Sequence, residues 1–284
     1  MARTLIEPHP RQRSATRPGR RMAAWRPDVQ APWGWLALGC FAGLAIALAV
    51  CAPARWGAWA IDAASGGRVR LEAPRGTLWN GSGHLVLAGG TASLDAAALP
   101  SRVGWRLRPG REGMWLTLSA DCCTPVPWRL RITASQRGFG LAWADGPATH
   151  WPAQLLAGLG TPWNTLGLDG RLTVTTRDLR LQWTAQGLRM EGYAALELRD
   201  ATTRLTPLQP VGSYRLQLEG GDTPRLRLDT PEGALRLSGT GAWVGRHLRF
   251  TGEAHALPGT ETVLDNVLNI IGQRQGARSL ITLG

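Results

Sequence analysis

From residue 67 to the end of the chain, apolar side chains alternate with polar or charged ones. Such a period of two predicts strands that bury one face and expose the other. Gly, Pro, Asn and Asp signals separate the runs at spacings that suit hairpins and meanders. The sequence therefore predicts a mainly β fold built on an antiparallel sheet. The clearest runs lie at 69–72, 103–107, 114–119, 128–132, 172–174, 179–183, 196–199, 214–219, 226–228, 235–237 and 248–250.

A smaller theme recurs within the strands, in which a glycine follows an apolar residue by two positions. It occurs at Gly170, Gly192, Gly239 and Gly252. Glycine inside a strand weakens pairing and usually marks a bulge or a sharp bend. The theme therefore predicts a strongly curved sheet, whose apolar face closes as a partial barrel or forms a trough.

An uncharged apolar stretch precedes this region, from Trp33 to Ala52. At 1.5 Å per residue, its 20 residues extend about 30 Å as a helix, which is the thickness of the hydrocarbon core of a bilayer. Tryptophans lie near both ends, where indole rings favour the headgroup region. We assign residues 33–54 to a single transmembrane helix. A cleaved signal peptide is the alternative, because Ala52-Pro53-Ala54 resembles a small-residue cleavage site.

Residues 1–32 are rich in arginine, proline and small residues, which predicts a disordered basic tail. Under the positive-inside rule this tail is cytoplasmic. Residues 55–284 then form a β-rich domain on the other side of the membrane, which is the periplasm in a bacterium. The chain contains no lysine, and its arginines are spread singly along the strands without a basic patch. This distribution argues against a nucleic-acid partner.

Two segments beyond the apolar stretch have helical signals. The first covers residues 150–157 and ends at Gly158; the second covers residues 261–273, with Thr260 as a possible cap. A last strand is expected over residues 279–283, either completing the domain's own sheet, which is favoured, or offering an edge to a partner. The intervening sequence GLGTPWNTLGLDGRL, residues 158–172, has the composition of a joint between helix and strand.

The four cysteines do not form a disulfide framework. Cys40 and Cys51 lie within the apolar stretch. Cys122 and Cys123 are adjacent, so a bond between them closes a strained ring. A bond between these two neighbours is an open but disfavoured alternative, and two free thiols or a bond to a partner are the favoured interpretations.

No set of residues indicates catalysis, a cofactor or a metal. His9, His84, His150, His247 and His255 lack metal-binding spacing, and no nucleotide or hydrolase motif occurs. Ser82 lies two residues from a histidine, but a Gly-Ser turn between strands explains it better. We therefore predict no enzyme, and no catalytic, cofactor-binding or metal residue.

Four segments carry a family resemblance. Read in chain order, GTLWNGSG, DCCTPVPW, WPAQLLAGLGTPWNTLGLDGRL and VLDNVLNIIGQRQGARSLITLG make this chain similar to protein N of the bacterial type II secretion system. The resemblance implies an accessory protein of the inner membrane that functions in export of folded proteins across the outer membrane. It also implies contacts with other secretion components, namely the inner-membrane platform and possibly protein C. It implies no catalytic residue.

A second function remains open on the residues alone. Alternating strands interrupted by glycine also suit a lipid-binding or lipid-transfer module anchored in the inner membrane, since an apolar inner face shelters acyl chains from water. A hydrolase ranks last, because the sequence offers no nucleophile, base and orienting group together.

Overall fold

The computed structural model describes residues 33–90, 95–136, 138–185, 187–244 and 247–284. The predicted basic tail therefore lies outside the described residues. The chain divides into two compact units, the first ending at Ala45 and the second running from Ile46 to Gly284. Within the described part, one helix, α1 (Trp33–Val50), is long and apolar enough to cross a membrane.

The β-rich architecture is confirmed. Within the described ranges, fifteen strands form one antiparallel sheet. The strands are β1 (Val69–Gly76), β2 (Asn80–Ala88), β3 (Ala96–Gly110), β4 (Gly113–Ala120), β5 (Trp128–Ser135), β6 (Gly138–Trp143), β7 (Thr149–Pro152), β8 (Asp169–Thr184), β9 (Gly187–Thr202), β10 (Gly212–Gly221), β11 (Arg225–Gly233), β12 (Leu235–Val244), β13 (His247–Ala256), β14 (Gln273–Gln275) and β15 (Arg278–Leu283).

Strand order in the sheet follows the chain almost throughout. Each strand from β1 to β6 pairs with the next, β6 pairs with β8, and the sequence of neighbours continues to β13. The order then ends β13-β15-β14, and β7 pairs only with β8. The last strand therefore completes the domain's own sheet, as the favoured prediction held.

The four glycines of the repeated theme differ in the strand register around them. Gly170 and Gly192 lie at register shifts between β8 and β9, as predicted for bulges. Gly239 and Gly252 do not mark a bulge, because β12 and β13 pair without a register shift and place these two glycines directly opposite each other.

The part of the chain that the structure describes also contains four α-helices and one 3-10 helix. They are α1, α2 (Ala54–Ser65), the 3-10 helix Ala153–Leu159, α3 (Trp163–Leu166) and α4 (Glu261–Ile271). The sequence did not predict α2, and it placed the start of the middle helix too early. Thr149–Pro152 forms β7 instead, since Trp151 pairs with Leu172 of β8.

Buried apolar residues form three clusters along one face of the sheet. The first lies under α3 and α4, the second between β3, β4 and the 3-10 helix, and the third around β8 and β9. Their buried members are Leu166, Val211, Leu235, Ala254, Leu264, Val267 and Leu268; then Leu99, Ala120, Cys123 and Leu155; and then Ala153, Leu172, Leu198 and Ala201.

Candidate functional site

The apolar face of the carboxyl-terminal half of the sheet contains a cavity of about 560 Å³. This volume is in the usual range of about 300–1,000 Å³ for a small-molecule site. We call it the apolar groove. Its lining comes from strands β8 to β13 and β15, from the helices beside them and from the connecting loops: Leu156, Thr161, Pro162, Trp163, Leu166, Leu168, Leu172, Leu196, Leu198, Ala201, Thr202, Thr203, Val211, Tyr214, Leu216, Leu226, Leu228, Leu235, Leu237, Phe250, Val267, Ile271, Ile281 and Leu283.

Strand register builds the floor of the groove. Leu216 of β10 lies directly opposite both Leu196 of β9 and Leu228 of β11. Side chains that oppose each other across a sheet point to the same face, so these leucines form one row. Because all three are only half-buried, the row still has apolar surface to cover.

Next to Leu228, the leucine row ends at Gly239 of β12, and the side chain of Phe250 continues the floor of the groove there. A Cβ added at Gly239 would lie 2.4 Å from the ring of Phe250, and one added at Gly252 would lie 3.1 Å from it. The ring therefore lies flat over two glycines, and it is buried. The glycine theme of the sequence serves ring packing at this place.

Two helices close one end of the groove. Leu166 of α3 is buried, as are Leu264, Val267 and Leu268 of α4. Val267 and Ile271 also line the groove. Leu196, Leu216 and Leu228 remain half-buried, so the two helices do not cover the whole floor of the groove.

Few polar groups reach the groove, and no charged side chain is among its described lining residues. The Tyr214 hydroxyl donates a hydrogen bond to the carbonyl of Leu235 (3.3 Å), and the Thr203 hydroxyl donates to the carbonyl of Leu166. Burial raises the pKa of the Tyr214 phenol above its ordinary value. Tyr214 therefore stays neutral, and the groove suits an apolar occupant.

A second cavity, of about 630 Å³ and open to solvent, is lined by residues of β3, the turn after β4, and β7 to β9. Cys122 and Cys123 line it and are bonded to each other, so the expectation of two free thiols or a bond to a partner is wrong. The backbone supports this turn, because the amide of His150 donates to the carbonyl of Cys123 (2.9 Å). The remaining lining residues are Pro100, His150, Trp151, Pro152, Gly170, Arg171 and Asp200.

His150 is the histidine that lines this second cavity. Nδ1 of His150 lies 3.2 Å from the Thr173 hydroxyl. Among the described residues, no group of three or more His, Cys, Asp or Glu side chains could hold a metal ion.

The Ser82 interpretation needs one correction. Ser82 lies within strand β2 and not in a turn. Its hydroxyl accepts a hydrogen bond from Nε of Arg102 (3.3 Å), which assigns it a structural role. Arg102 also donates to the carbonyl of Ala73, and so ties β1 to β3 across β2.

The joint at residues 158–172 has a second role that its composition did not reveal. It contains the end of the 3-10 helix, then α3, and then the start of β8. Pro162, Trp163 and Leu168 line the apolar groove. The segment therefore both reverses the chain and supplies part of the groove wall.

These features define a class of protein. One apolar helix is followed in the chain by an antiparallel sheet whose strands are ordered almost as in the sequence. The sheet carries an apolar groove, and no catalytic group is recognisable among the described residues. The family model of the type II secretion system (T2SS), protein N, matches residues 67–281. The chain belongs to that family, which is a secretion accessory family. No curated protein and no solved structure matches it.

Proposed function

We propose that this protein is an accessory component of the type II secretion system that acts by protein–protein contact and not by catalysis. The observation that carries the proposal is the family match over residues 67–281, which covers nearly the whole sheet. Other secretion components are its expected partners, first the inner-membrane platform and then protein C.

The proposal also specifies the location and the membrane topology of the protein. Helix α1 crosses the bacterial inner membrane once, with residues 1–32 cytoplasmic and residues 55–284 periplasmic. The apolar composition of α1 and the arginines before it support this orientation. A reporter enzyme that is active only in the periplasm, fused after Gly284, should be active; activity only for a fusion at the amino terminus would reverse the topology.

The functional test is secretion of folded proteins by a deletion strain. Loss of the gene should reduce the amount of secreted protein in the medium, and the full-length chain should restore it. Crosslinking in native membranes should recover platform components, and a strain without the platform serves as the control. Normal secretion together with no crosslinked component would overturn the proposal.

A second candidate function is lipid binding in a module anchored to the inner membrane. The apolar groove favours it, because water hydrates an uncharged, apolar cavity of about 560 Å³ poorly, so an apolar ligand can occupy it instead. An acyl chain is the apolar ligand that a membrane offers. Lipid binding and a role in secretion are compatible.

Mass spectrometry of the protein extracted from membranes tests this candidate. We expect a co-purifying lipid, and we expect Leu228→Arg to remove it by placing a charge in the groove. Thr240→Arg is the matched control, since Thr240 is exposed and pairs with Arg227, the residue before Leu228. Equal lipid content in both variants would exclude the groove as the site.

A further inference from the structure

The contacts of the chain after α1 identify which end of the sheet lies nearest the apolar helix. The indole Nε1 of Trp79 donates to the carbonyl of Ala49 (2.8 Å), and the amide of Leu78 donates to the carbonyl of Ala52 (2.8 Å). Pro53 also forms a β-bridge with Thr77. The turn between β1 and β2 is therefore held against the end of α1, and we call this end of the sheet the α1-proximal end.

The hairpin of β3 and β4 extends beyond that turn. Asn80, the first residue of β2, pairs with Arg106 of β3, but β3 continues to Gly110 before the chain reverses. Four residues at about 3.3 Å each carry the hairpin about 13 Å further in the same direction. It is the part of this region that projects past the turn between β1 and β2.

Strand pairing concentrates arginines on this projecting part, so the expectation that the arginines form no basic patch is wrong here. Residues 106–117 and 129–132 contain five arginines and one acidic residue, Glu112. Register places Arg108, Trp115 and Arg131 in one row across the three strands, and Arg106, Thr117 and Arg129 in the next row. We call the five arginines with Trp115 the arginine patch. It consists of Arg106, Arg108, Arg111, Arg129, Arg131 and Trp115.

The patch keeps most of its charge available to a partner. Glu112 forms an ion pair with Arg131, whose guanidinium also lies 5.6 Å from the centre of the Trp115 ring. Trp115 is 39% exposed although it is large and apolar. An exposed indole among arginines matches the composition of surfaces that contact a membrane.

Helix α2 adds a second apolar element on the same face of the sheet. Its Asp62 forms an ion pair with Arg70 of β1 (3.4 Å), and register places Arg70 on the same face as Arg106. Ala54 and Ala58 are buried, whereas Trp56 is 47% exposed and Trp59 is 73% exposed. The exposed side of α2 therefore presents two indoles beside the end of an apolar helix.

From these contacts we propose that the arginine patch and the two tryptophans of α2 form one surface that rests on the headgroup layer of the membrane holding α1. The arginines bind the phosphates of anionic phospholipids, and the indoles enter the interface. This inference rests on the proposed function for α1. The partner is a membrane because the surface is continuous with the end of the apolar helix, and a guanidinium is a strong ligand for phosphate.

The experiment uses the full-length protein in lipid nanodiscs, with Cys40 and Cys51 replaced by alanine. An environment-sensitive fluorophore is attached through Thr117→Cys in the patch, Phe41→Cys within α1, or Val126→Cys in the turn at the other end of β4. Lipids carrying a quencher at headgroup or acyl depth are then added, in phosphatidylcholine with or without phosphatidylglycerol.

We expect quenching at Phe41→Cys at acyl depth, quenching at Thr117→Cys at headgroup depth, and none at Val126→Cys. Removing phosphatidylglycerol, or combining Arg106→Gln with Arg108→Gln, should reduce quenching at Thr117→Cys several-fold. Arg225→Gln with Arg227→Gln, on exposed positions of β11, should leave it unchanged.

The outcomes separate the two proposals. Quenching at Phe41→Cys but not at Thr117→Cys overturns the surface and leaves the membrane anchor standing. Absence of quenching at Phe41→Cys overturns the anchor, and the surface with it. If quenching at Thr117→Cys changes neither when phosphatidylglycerol is removed nor when the arginines are replaced, recognition of anionic lipid is overturned.

Discussion

At the scale of single residues, Glu197 is the carboxylate with the most partners among the ion pairs of the described residues. Nε of Arg215 lies 2.8 Å from one carboxylate oxygen, and Nη2 of Arg199 lies 3.0 Å from the other. Burial raises the pKa of the Glu197 carboxyl, but the hydrogen bonds and charges of the two arginines outweigh burial and hold the pKa below its ordinary value. Glu197 therefore links neighbouring strands β9 and β10 only while it is ionised.

We expect Glu197→Gln to lower the free energy of unfolding by about 1 kcal/mol at neutral pH. A lowered folded-state pKa gives stability that is present above the unfolded pKa, near 4.5, and is lost as the pH falls through the folded value. The difference in the free energy of unfolding between the variant and the wild type should therefore disappear at acidic pH. Denaturant titrations across pH measure it; Glu191→Gln, whose ion pair is more exposed and 3.7 Å long, is the control. A gap that is independent of pH would contradict the assignment.

The bond between Cys122 and Cys123 predicts a thiol count. Denatured protein without reductant should react with alkylating reagent at Cys40 and Cys51 alone, and reduction should expose two more thiols. Mass spectrometry counts the added groups. Cys122→Ser should free Cys123 without reductant, and four reactive thiols in unreduced wild type would show that the bond is absent.

The sequence predicted a residue's environment where the neighbouring residues in the chain determine it. It did not predict that environment where a contact with a residue distant in the chain determines it. Adjacent cysteines disfavour a bond by local geometry, but the structure holds their turn through the amide of His150, which no local pattern reports. Gly239 and Gly252 likewise suggested a bend, whereas the ring of Phe250 is the reason that a side chain there would clash.

At the scale of elements, α4 shows how a helix covers the apolar groove. Leu264 and Leu268 are fully buried, one turn apart, and the Ser279 hydroxyl of β15 donates to the carbonyl of Leu268 (2.5 Å). The helix is thus attached to the sheet by both apolar contact and a buried hydrogen bond.

Leu268→Ala should destabilise the domain by about 2–5 kcal/mol, because it leaves a cavity that packed neighbours fill only in part. Val263→Ala, on the same helix at a position 39% exposed, should cost less than about 1 kcal/mol. Thermal or denaturant unfolding of both variants compares them. Equal losses would mean that α4 does not pack against the sheet.

The sequence predicted a helix correctly where no stronger sequence pattern lay next to it. The spacing of Val263, Leu264, Val267, Leu268 and Ile271 predicted α4 within two residues, because amphipathic periodicity there is undisturbed. Helix α2 was missed, since its tryptophans, next to the apolar stretch, suggested only a membrane boundary. Residues 149–152 became a strand because β8 is long enough, at 16 residues, to pair with both β6 and β7.

At the scale of the whole molecule, the sheet should be least stable at its open edges. Strands β8 and β9 are 16 residues long and paired on both sides, whereas β1 and the three-residue β14 have a partner on one side. Hydrogen exchange should therefore show the greatest protection in β8 and β9, with faster exchange in β1 and β14. Uniform protection, or the reverse order, would contradict this distribution.

Alternation along the chain predicted the fold class and most strands, because a half-buried strand must display its two faces in sequence. The apolar groove could not be located in the same way. Its floor depends on register, which sets Leu196, Leu216 and Leu228 side by side, and on whether a helix covers them. These are relations between strands, and sequence alone left filled and open sheets equally possible.

The nearly unbroken agreement between chain order and sheet order bears on how such a molecule is made. Each newly synthesised segment meets, as its docking edge, the segment made just before it, so the sheet can grow as the chain emerges without waiting for the carboxyl terminus. The same arrangement makes length adjustable: gain or loss of one hairpin in the middle would widen or narrow the sheet while leaving every other neighbour relationship intact.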